Sequence, residues 1–458
     1  MRSNNVRQIC PHKFLRIVLA AAVAAAVFFF ATMERGSTRY AEVSAASDLN
    51  LSGKSPQAVG PCKSLPGADR TVVIIRTGST ELENRLPVHL TTSVRCFSDY
   101  LIFSDTDEYY LGEHILDALA DVSPSITEHN SDFELYRRLR KGGRSALHPS
   151  ELAGPLDEIP NMSGKSENPG WKLDKWKFLP MINRTLQMRP DKQWYVFVEA
   201  DTFVLWSMLL RYLESFDPTK PIYAGNPMLI GEVMFAHGGS GFVVSRPALE
   251  SVVEHYATRK EEIESFTNEH WAGDCVLGKV LLDSGVSMTN AWPAFQGDYP
   301  GFLSYTPADR RPMANNFLRE WCGPTVSYHH MAPSEIEELW HFEQDWLINQ
   351  SPVGEKVLRH IDIFTKFAMP RMRSVKGNWD NLSEDRSMIA SSIDECRHKC
   401  MANPACMQYS YDKDGSCKTH VHLRLGRAKP GITSGWIWDR VVDFAQGMAS
   451  CEGASWPT

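Results

Sequence analysis

The stretch WYVFVEADTFVLW, residues 194–206, constrains this chain more tightly than any other. Tyr195 to Val198 form one apolar run and Phe203 to Leu205 another, and Glu199 and Asp201 lie between them. Ionised carboxylates enter an apolar core only when they are paired or bind a metal. Either this run is not a buried strand, or the fold carries its end to a place where something compensates two acids.

The surrounding sequence favours the second choice. TVVIIRT, residues 71–77, has the β-branched character of a buried parallel strand. DYLIFSD, residues 99–105, is a second apolar run that ends in a carboxylate, and FVVS at 242–245 reads as a third. Helical patterns are expected within 82–96, over 113–121 and 171–187, in SMLLRYLESF, and in the run after Asp274. Pro180 is expected to kink or shorten its helix, and residues 141–170 read as loop. Strands that alternate with helices predict an α/β domain with a mainly parallel sheet. Ligands of such sheets bind beyond the carboxyl ends of the strands. Glu199 and Asp201 are therefore expected on the rim of a cleft, not inside the core.

Four motifs can carry chemistry there. Glu199-Ala200-Asp201 is an acid-x-acid pair suited to a hard divalent cation such as Mg²⁺ or Mn²⁺; alone, it also fits a solvated loop. HGGSGF, residues 237–242, lets backbone approach a ligand closely, or simply turns into the strand FVVS. It lacks the closing glycine of a nucleophile elbow and the Lys-Ser/Thr of a phosphate loop. Asp274 opens an apolar helical run, either as a cap or as a base aimed into the cleft. His329 and His330 can supply a nitrogen ligand or be structural. Trp271 and Trp292 are candidates for stacking on a sugar, against ordinary packing.

The 458 residues have room for two or three domains. A net charge of −7 and the lack of a basic stripe argue against nucleic-acid binding. Arg2, Arg7, Lys13 and Arg16 precede an apolar run at 17–33. As a helix that run is about 25 Å long at about 1.5 Å per residue, enough for a thin bilayer with the charged end in the cytosol. The alternative is a signal peptide cleaved near Ala45 or Ala46. Either way the rest of the chain is expected in a secretory lumen. Nine of the ten cysteines follow the apolar run, without zinc-pair spacing. They are expected to pair in an oxidising compartment, leaving at least one over. Residues 34–66 read as a tether. N-x-S/T acceptor sites occur at Asn50, Asn161, Asn183, Asn349 and Asn381. Beyond about residue 375, Cys396, Cys400, Cys406 and Cys417 mark a small cysteine-dense module.

Taken in order, VVIIRTG, LIFSDTD, WYVFVEADTFV, HGGSGFVVSRPAL, GDCVLG, FQGD and TVSYHH resemble the family 31 glycosyltransferases. These include the fringe β1,3-N-acetylglucosaminyltransferases and the core-1 β1,3-galactosyltransferases. The likeness covers about residues 71–346 and is closest to fungal members, which often carry a PAN/apple-like tail. It implies a GT-A (Rossmann-like) catalytic domain at 67–372 and a disulfide-rich α+β PAN/apple-like module at 376–452. It further implies a cytosolic tail at 1–16, a signal anchor at 17–33 and a stem at 34–66. That is a single-pass type II protein of the Golgi or endoplasmic reticulum membrane. The implied reaction is an inverting, Mn²⁺-dependent transfer from a UDP-sugar to a glycan or glycoprotein acceptor. By position, Asp201 and His329 match the metal ligands, with His330 an alternative to His329. Asp105 matches an acid on the nucleotide side, and Asp274 matches the catalytic base. Glu199 stands where the family usually has Asp, and Gly273 where it usually has another acid. The Gly238–Gly241 turn, with Gly239 and Gly241 as its binding residues, would let backbone approach the donor or acceptor sugar. The likeness also implies Cys396–Cys417 and Cys400–Cys406 bridges. A rival reading is a non-catalytic, lumenal or secreted glycan-binding protein on the same scaffold. The sequence sets neither the sugar, nor the acceptor, nor an oligomeric state.

Overall fold

The computed structural model describes residues 61–154, 168–305, 322–350, 356–447 and 456–457. The expected anchor at 17–33, most of the tether, Asn50 and Asn161 lie outside the described residues. Among the described residues no helix is long and apolar enough to cross a membrane.

The strands are β1 (Thr71–Arg76), β2 (Tyr100–Ser104), β3 (Glu108–Tyr110), β4 (Glu113–Asp117), β5 (Trp194–Glu199), β6 (Phe203–Val204), β7 (Tyr223–Gly225), β8 (Pro227–Ile230), β9 (Val233–Ala236), β10 (Phe242–Ser245), β11 (Met288–Asn290), β12 (Phe295–Gln296) and β13 (Ser327–Tyr328). A C-terminal set follows: β14 (Lys376–Asp380), β15 (Arg386–Ile389), β16 (Gln408–Asp412), β17 (Ser416–His420) and β18 (Arg427–Trp436). Eight of them form one mixed sheet in the order β11-β7-β10-β5-β1-β2-β4-β3. Its centre, β5-β1-β2-β4, is parallel, as expected of an α/β domain.

The continuous apolar runs follow from burial on both faces. Along β1, Val73 and Ile75 face one core, while Val72 and Ile74 face the other. Along β5, Val196 and Val198 join the first, and Tyr195 and Phe197 the second. Each fully buried Val or Ile contributes roughly 1.5–3 kcal/mol, so both faces hold the strands in register. That register sets Arg76 beside Glu199 and beside Phe103, which brings three strand ends level at one edge.

Two local expectations are corrected. The segment expected to be helical at 113–121 is β4, because Ile115 and Leu116 point into opposite cores with the period of a strand. The helix Pro169–Met188 continues for 20 residues through Pro180, so the proline does not shorten it. Its buried Leu173, Trp176, Leu179, Met181 and Ile182 outweigh the roughly 3 kcal/mol such a proline costs. Helices Pro124–His129 and Glu134–Gly142, the second within the expected loop at its end, complete the flank.

The C-terminal strands form an antiparallel sheet, β14-β18-β16-β17-β15, with the helix Ile393–Met401 laid on it. Cys396–Cys417 and Cys400–Cys406 are bonded as the resemblance implied. Cys62–Cys96 is a third bridge, Cys322 is disulfide-bonded too, and buried Cys275 is free. This α+β region shares the main core. Phe364 packs on Tyr305 at 4.5 Å and on Phe444 at 5.6 Å, and Tyr305 bridges to Leu423. Asn381 is fully buried and its amide donates to Tyr409 O and Gly435 O, so the folded chain cannot present it for glycosylation.

Candidate active site

β5 carries Glu199 to the sheet edge, and the next turn places Asp201 there, only 2 % exposed. Their compensation comes first from protein. Arg76, at the end of β1, pairs with both Glu199 and Asp174 and lies 4.1 Å over the Phe178 ring. Arg85, on the helix Leu82–Thr91, reaches Asp201 Oδ2 at 3.2 Å and Glu81 at 2.6 Å. Burial alone would raise Glu199, but Arg76 and then His329 hold it down to about 2. Against the same burial, His329 and Arg85 hold Asp201 well below the usual carboxylate range.

The two histidines arrive on the end of β13, which pairs with β6 immediately after Asp201. His329 Nε2 lies 3.1 Å from Asp201 Oδ1 and 3.4 Å from Glu199 Oε2. Burial lowers His329, yet the two acids overcome it and push the ring up to about 10. His330 stacks on His329 with ring centroids 3.8 Å apart, and its Nδ1 is 3.7 Å from Asp201 Oδ2. Its backbone is left-handed, φ 55°, which costs roughly 1–2 kcal/mol in a residue with a Cβ.

Asp201, His329 and His330 each offer one ligand atom, all within 4.8 Å of one another. His330 Nδ1 is buried without a hydrogen-bond partner, and Asp201 Oδ1 is buried with His329 Nε2 beside it. One carboxylate oxygen and two imidazole nitrogens gathered this closely, one of them without a hydrogen-bond partner, fit a divalent transition ion such as Mn²⁺. Both histidines enter this cluster, so His330 joins His329 instead of replacing it. Glu199 does not: it is turned onto Arg76.

Asp274 sits in the first turn of the helix Gly273–Asp283, where Oδ2 accepts from Gly238 N at 2.9 Å and Oδ1 from Cys275 N at 2.9 Å. Burial pushes its carboxyl up to about 6, against the Gly238 hydrogen bond and the charge of Arg76. A buried acid near that value suits proton transfer close to neutrality.

The glycines expected beside the donor are each set by tight packing. A Cβ on Gly239 would fall inside the His329 ring, so the space this glycine leaves belongs to a histidine. Gly241, at φ 78°, turns the chain into β10 with Val198 and Phe197 O only 3.1 and 3.2 Å from where a Cβ would be. Gly273 is explained by the same test: a Cβ there would stand 2.6 Å from Lys175 Cα. The helix Pro169–Met188 occupies the place that a side chain would need. Asp105 is fully buried, with Oδ1 accepting from Ser79 N at 2.6 Å and Ser104 Oγ at 2.8 Å. It braces the Gly78–Ser79 turn and faces Lys177 Nζ at 3.9 Å. Trp271 is 65 % exposed three residues before Asp274, and Trp292 is half-buried.

Arg76, Asp174, Arg85 and Lys177 were not foreseen as site residues. Arg76 had a visible signal: like Glu199, it is a charge at the end of an apolar strand. Asp174, Arg85 and Lys177 sit in helices whose sequences have no mark of a site.

Over residues 179–332 the chain matches the family model described as Fringe-like. The match takes in β5, the His237–Phe242 turn, Asp274 and both histidines, and it ends just after the metal-site candidates. A domain of this type on this α/β scaffold points to the glycosyltransferases as a class.

Proposed function

We propose that this chain is an inverting glycosyltransferase that moves a hexose or N-acetylhexosamine from a UDP-sugar to a glycan or glycoprotein hydroxyl, forming a β1,3 linkage. One observation carries the reading. Asp274 is hydrogen-bonded to Gly238, and the ring of His329 fills the space beside Gly239, so a poised acid and a metal-ligand cluster meet on two consecutive residues.

Asp274 accepts the acceptor hydroxyl's proton as that oxygen attacks the anomeric carbon. The bond from that carbon to the diphosphate oxygen breaks, and UDP leaves with the bonding electrons. Attack opposite the leaving group inverts the centre. Asp201, His329 and His330 would hold Mn²⁺, which when bound would supply positive charge for the departing diphosphate. Arg76, clamped between Glu199 and Asp174, adds fixed positive charge beside Asp274 and favours its ionised form. Asp105 acts on the nucleotide side through the Gly78–Ser79 turn, being itself without exposed surface. Exposed Trp271 offers an acceptor sugar a stacking face.

The Cys62–Cys96, Cys396–Cys417 and Cys400–Cys406 bridges, with the disulfide-bonded Cys322, support an oxidising compartment. With the basic residues before the apolar run at 17–33, they support a type II protein of the Golgi or endoplasmic reticulum membrane, with the PAN/apple-like module lumenal. A screen of UDP-sugars for UDP release, with and without Mn²⁺, tests the function. One donor is expected to turn over only with the metal and an acceptor. Glycan binding with no UDP release from any donor would instead establish a non-catalytic binding protein.

A further inference from the structure

The C-terminal sheet reaches the metal-site candidates through one side chain. Arg427, the first residue of β18, is 1 % exposed. A guanidinium is that deeply buried only where partners replace water, and the partners are specific. Its Nη2 donates to the backbone carbonyl of His330 at 2.6 Å and to Glu335 Oε2 at 2.9 Å. Its guanidinium lies 3.7 Å over the ring of Tyr299, whose hydroxyl donates to the carbonyl of Gly426, the residue before it.

These contacts close a short loop. His329 and His330 are followed by Met331, Ala332 and then the helix Pro333–Ile348. Met331 N donates to Asp201 O at 2.9 Å, and Ala332 N donates to Glu335 Oε2 at 2.8 Å. Arg427 therefore holds the segment at both ends, on the His330 carbonyl and on the helix-capping Glu335. His330 sits between them in the left-handed conformation that a residue with a Cβ adopts only when its surroundings impose it.

We infer that Arg427 is a positioning residue of the metal site, so that the C-terminal disulfide-rich region completes the catalytic centre instead of serving as an independent appendage. The inference rests on the reading of Asp201, His329 and His330 as metal ligands. Arg427 touches neither ion nor substrate; it fixes the turn that aims two imidazoles at Asp201. A lysine keeps the charge but not the planar guanidinium, which lies over Tyr299 while its Nη2 reaches both the carbonyl and the carboxylate.

The test is Mn²⁺ titration of the full lumenal chain by calorimetry and by electron paramagnetic resonance, with no nucleotide or sugar present. Arg427→Lys is the main variant, because Arg427→Ala leaves the half-buried Glu335 without its cation. Lys429→Ala is the control: Lys429 is on the same strand but pairs with Asp380, away from the histidines. Arg427→Lys is expected to weaken Mn²⁺ binding tenfold or more, and Lys429→Ala to leave it unchanged. Wild-type Mn²⁺ affinity in Arg427→Lys, with only a lowered melting temperature, would overturn the inference and leave the metal site standing. Failure of the wild-type chain itself to bind Mn²⁺ would overturn both. Failure of Arg427→Lys to fold while Lys429→Ala folds would also count against it, since that marks the arginine as structural.

Discussion

At the scale of single residues, charge is settled locally before any ligand arrives. Glu199 answers to Arg76, and Asp201 to Arg85 and His329. Asp274 is set apart by burial and is left near 6. As a base it must be ionised, so kcat/KM should fall about tenfold per pH unit below about 6, in a profile taken with saturating Mn²⁺. Asp274→Asn should remove that limb, lower kcat by roughly 10²–10⁴ and keep UDP-sugar binding; lost donor binding would mean that the residue is not the base. Gly239→Ala is sharper still. Its backbone tolerates a side chain, but the methyl takes the place of the His329 ring. Mn²⁺ affinity should drop while circular dichroism stays native, which calorimetry on the folded variant would show.

Among the elements, packing explains two departures that the sequence could only register. The acid that the resemblance led one to expect at Gly273 has no room there, because the helix Gly273–Asp283 starts against the backbone of Pro169–Met188. Restoring it with Gly273→Asp should destabilise the chain by about 1–3 kcal/mol or more, as overpacking does, read as a lower urea midpoint. Glu343 makes a second case. It is buried beneath the helix Trp206–Leu213, accepting from Ser207 N at 2.8 Å, and burial pushes it up to about 7 despite that bond. Its folded value exceeds its unfolded one, so the native state holds the extra proton between about 4.5 and about 7. Stability from this group is present below the lower value and is lost as pH rises through the upper. Glu343→Gln should flatten that decline, gaining on the order of 1–3 kcal/mol at pH 8 relative to wild type, measured by denaturant titration at pH 5 and pH 8. The strands themselves were legible wherever an apolar run was bounded by charge, as in β1, β2, β5 and β10. β4 was not, since three residues of alternation inside a polar segment look the same as one turn of a helix. The helix through Pro180 was misjudged because local cost is visible in sequence and tertiary burial is not.

Across the whole molecule, one compact unit spans Val59–Thr458. The cysteine-dense region reads in sequence as a module because its pattern is local; its contacts to Tyr305, Phe364 and His330 join distant positions and leave no local trace. The same holds for the site. Glu199, Asp201, Asp274 and the histidines were legible as types of residue in order, whereas Arg76 and Asp174, 98 positions apart, meet only through the fold. The Cys62–Cys96 bridge ties the start of the described chain across 34 positions. Replacing both with Ser should cost roughly 2–4 kcal/mol by loop entropy, seen as a lower melting temperature with Mn²⁺ affinity unchanged. The most direct measurement of the central claim is an anomalous difference map at the manganese edge, from crystals of the protein grown with Mn²⁺ and UDP. A single strong peak among Asp201, His329 and His330, with the diphosphate against it, is the predicted result. A peak elsewhere, or none with UDP bound, would contradict it.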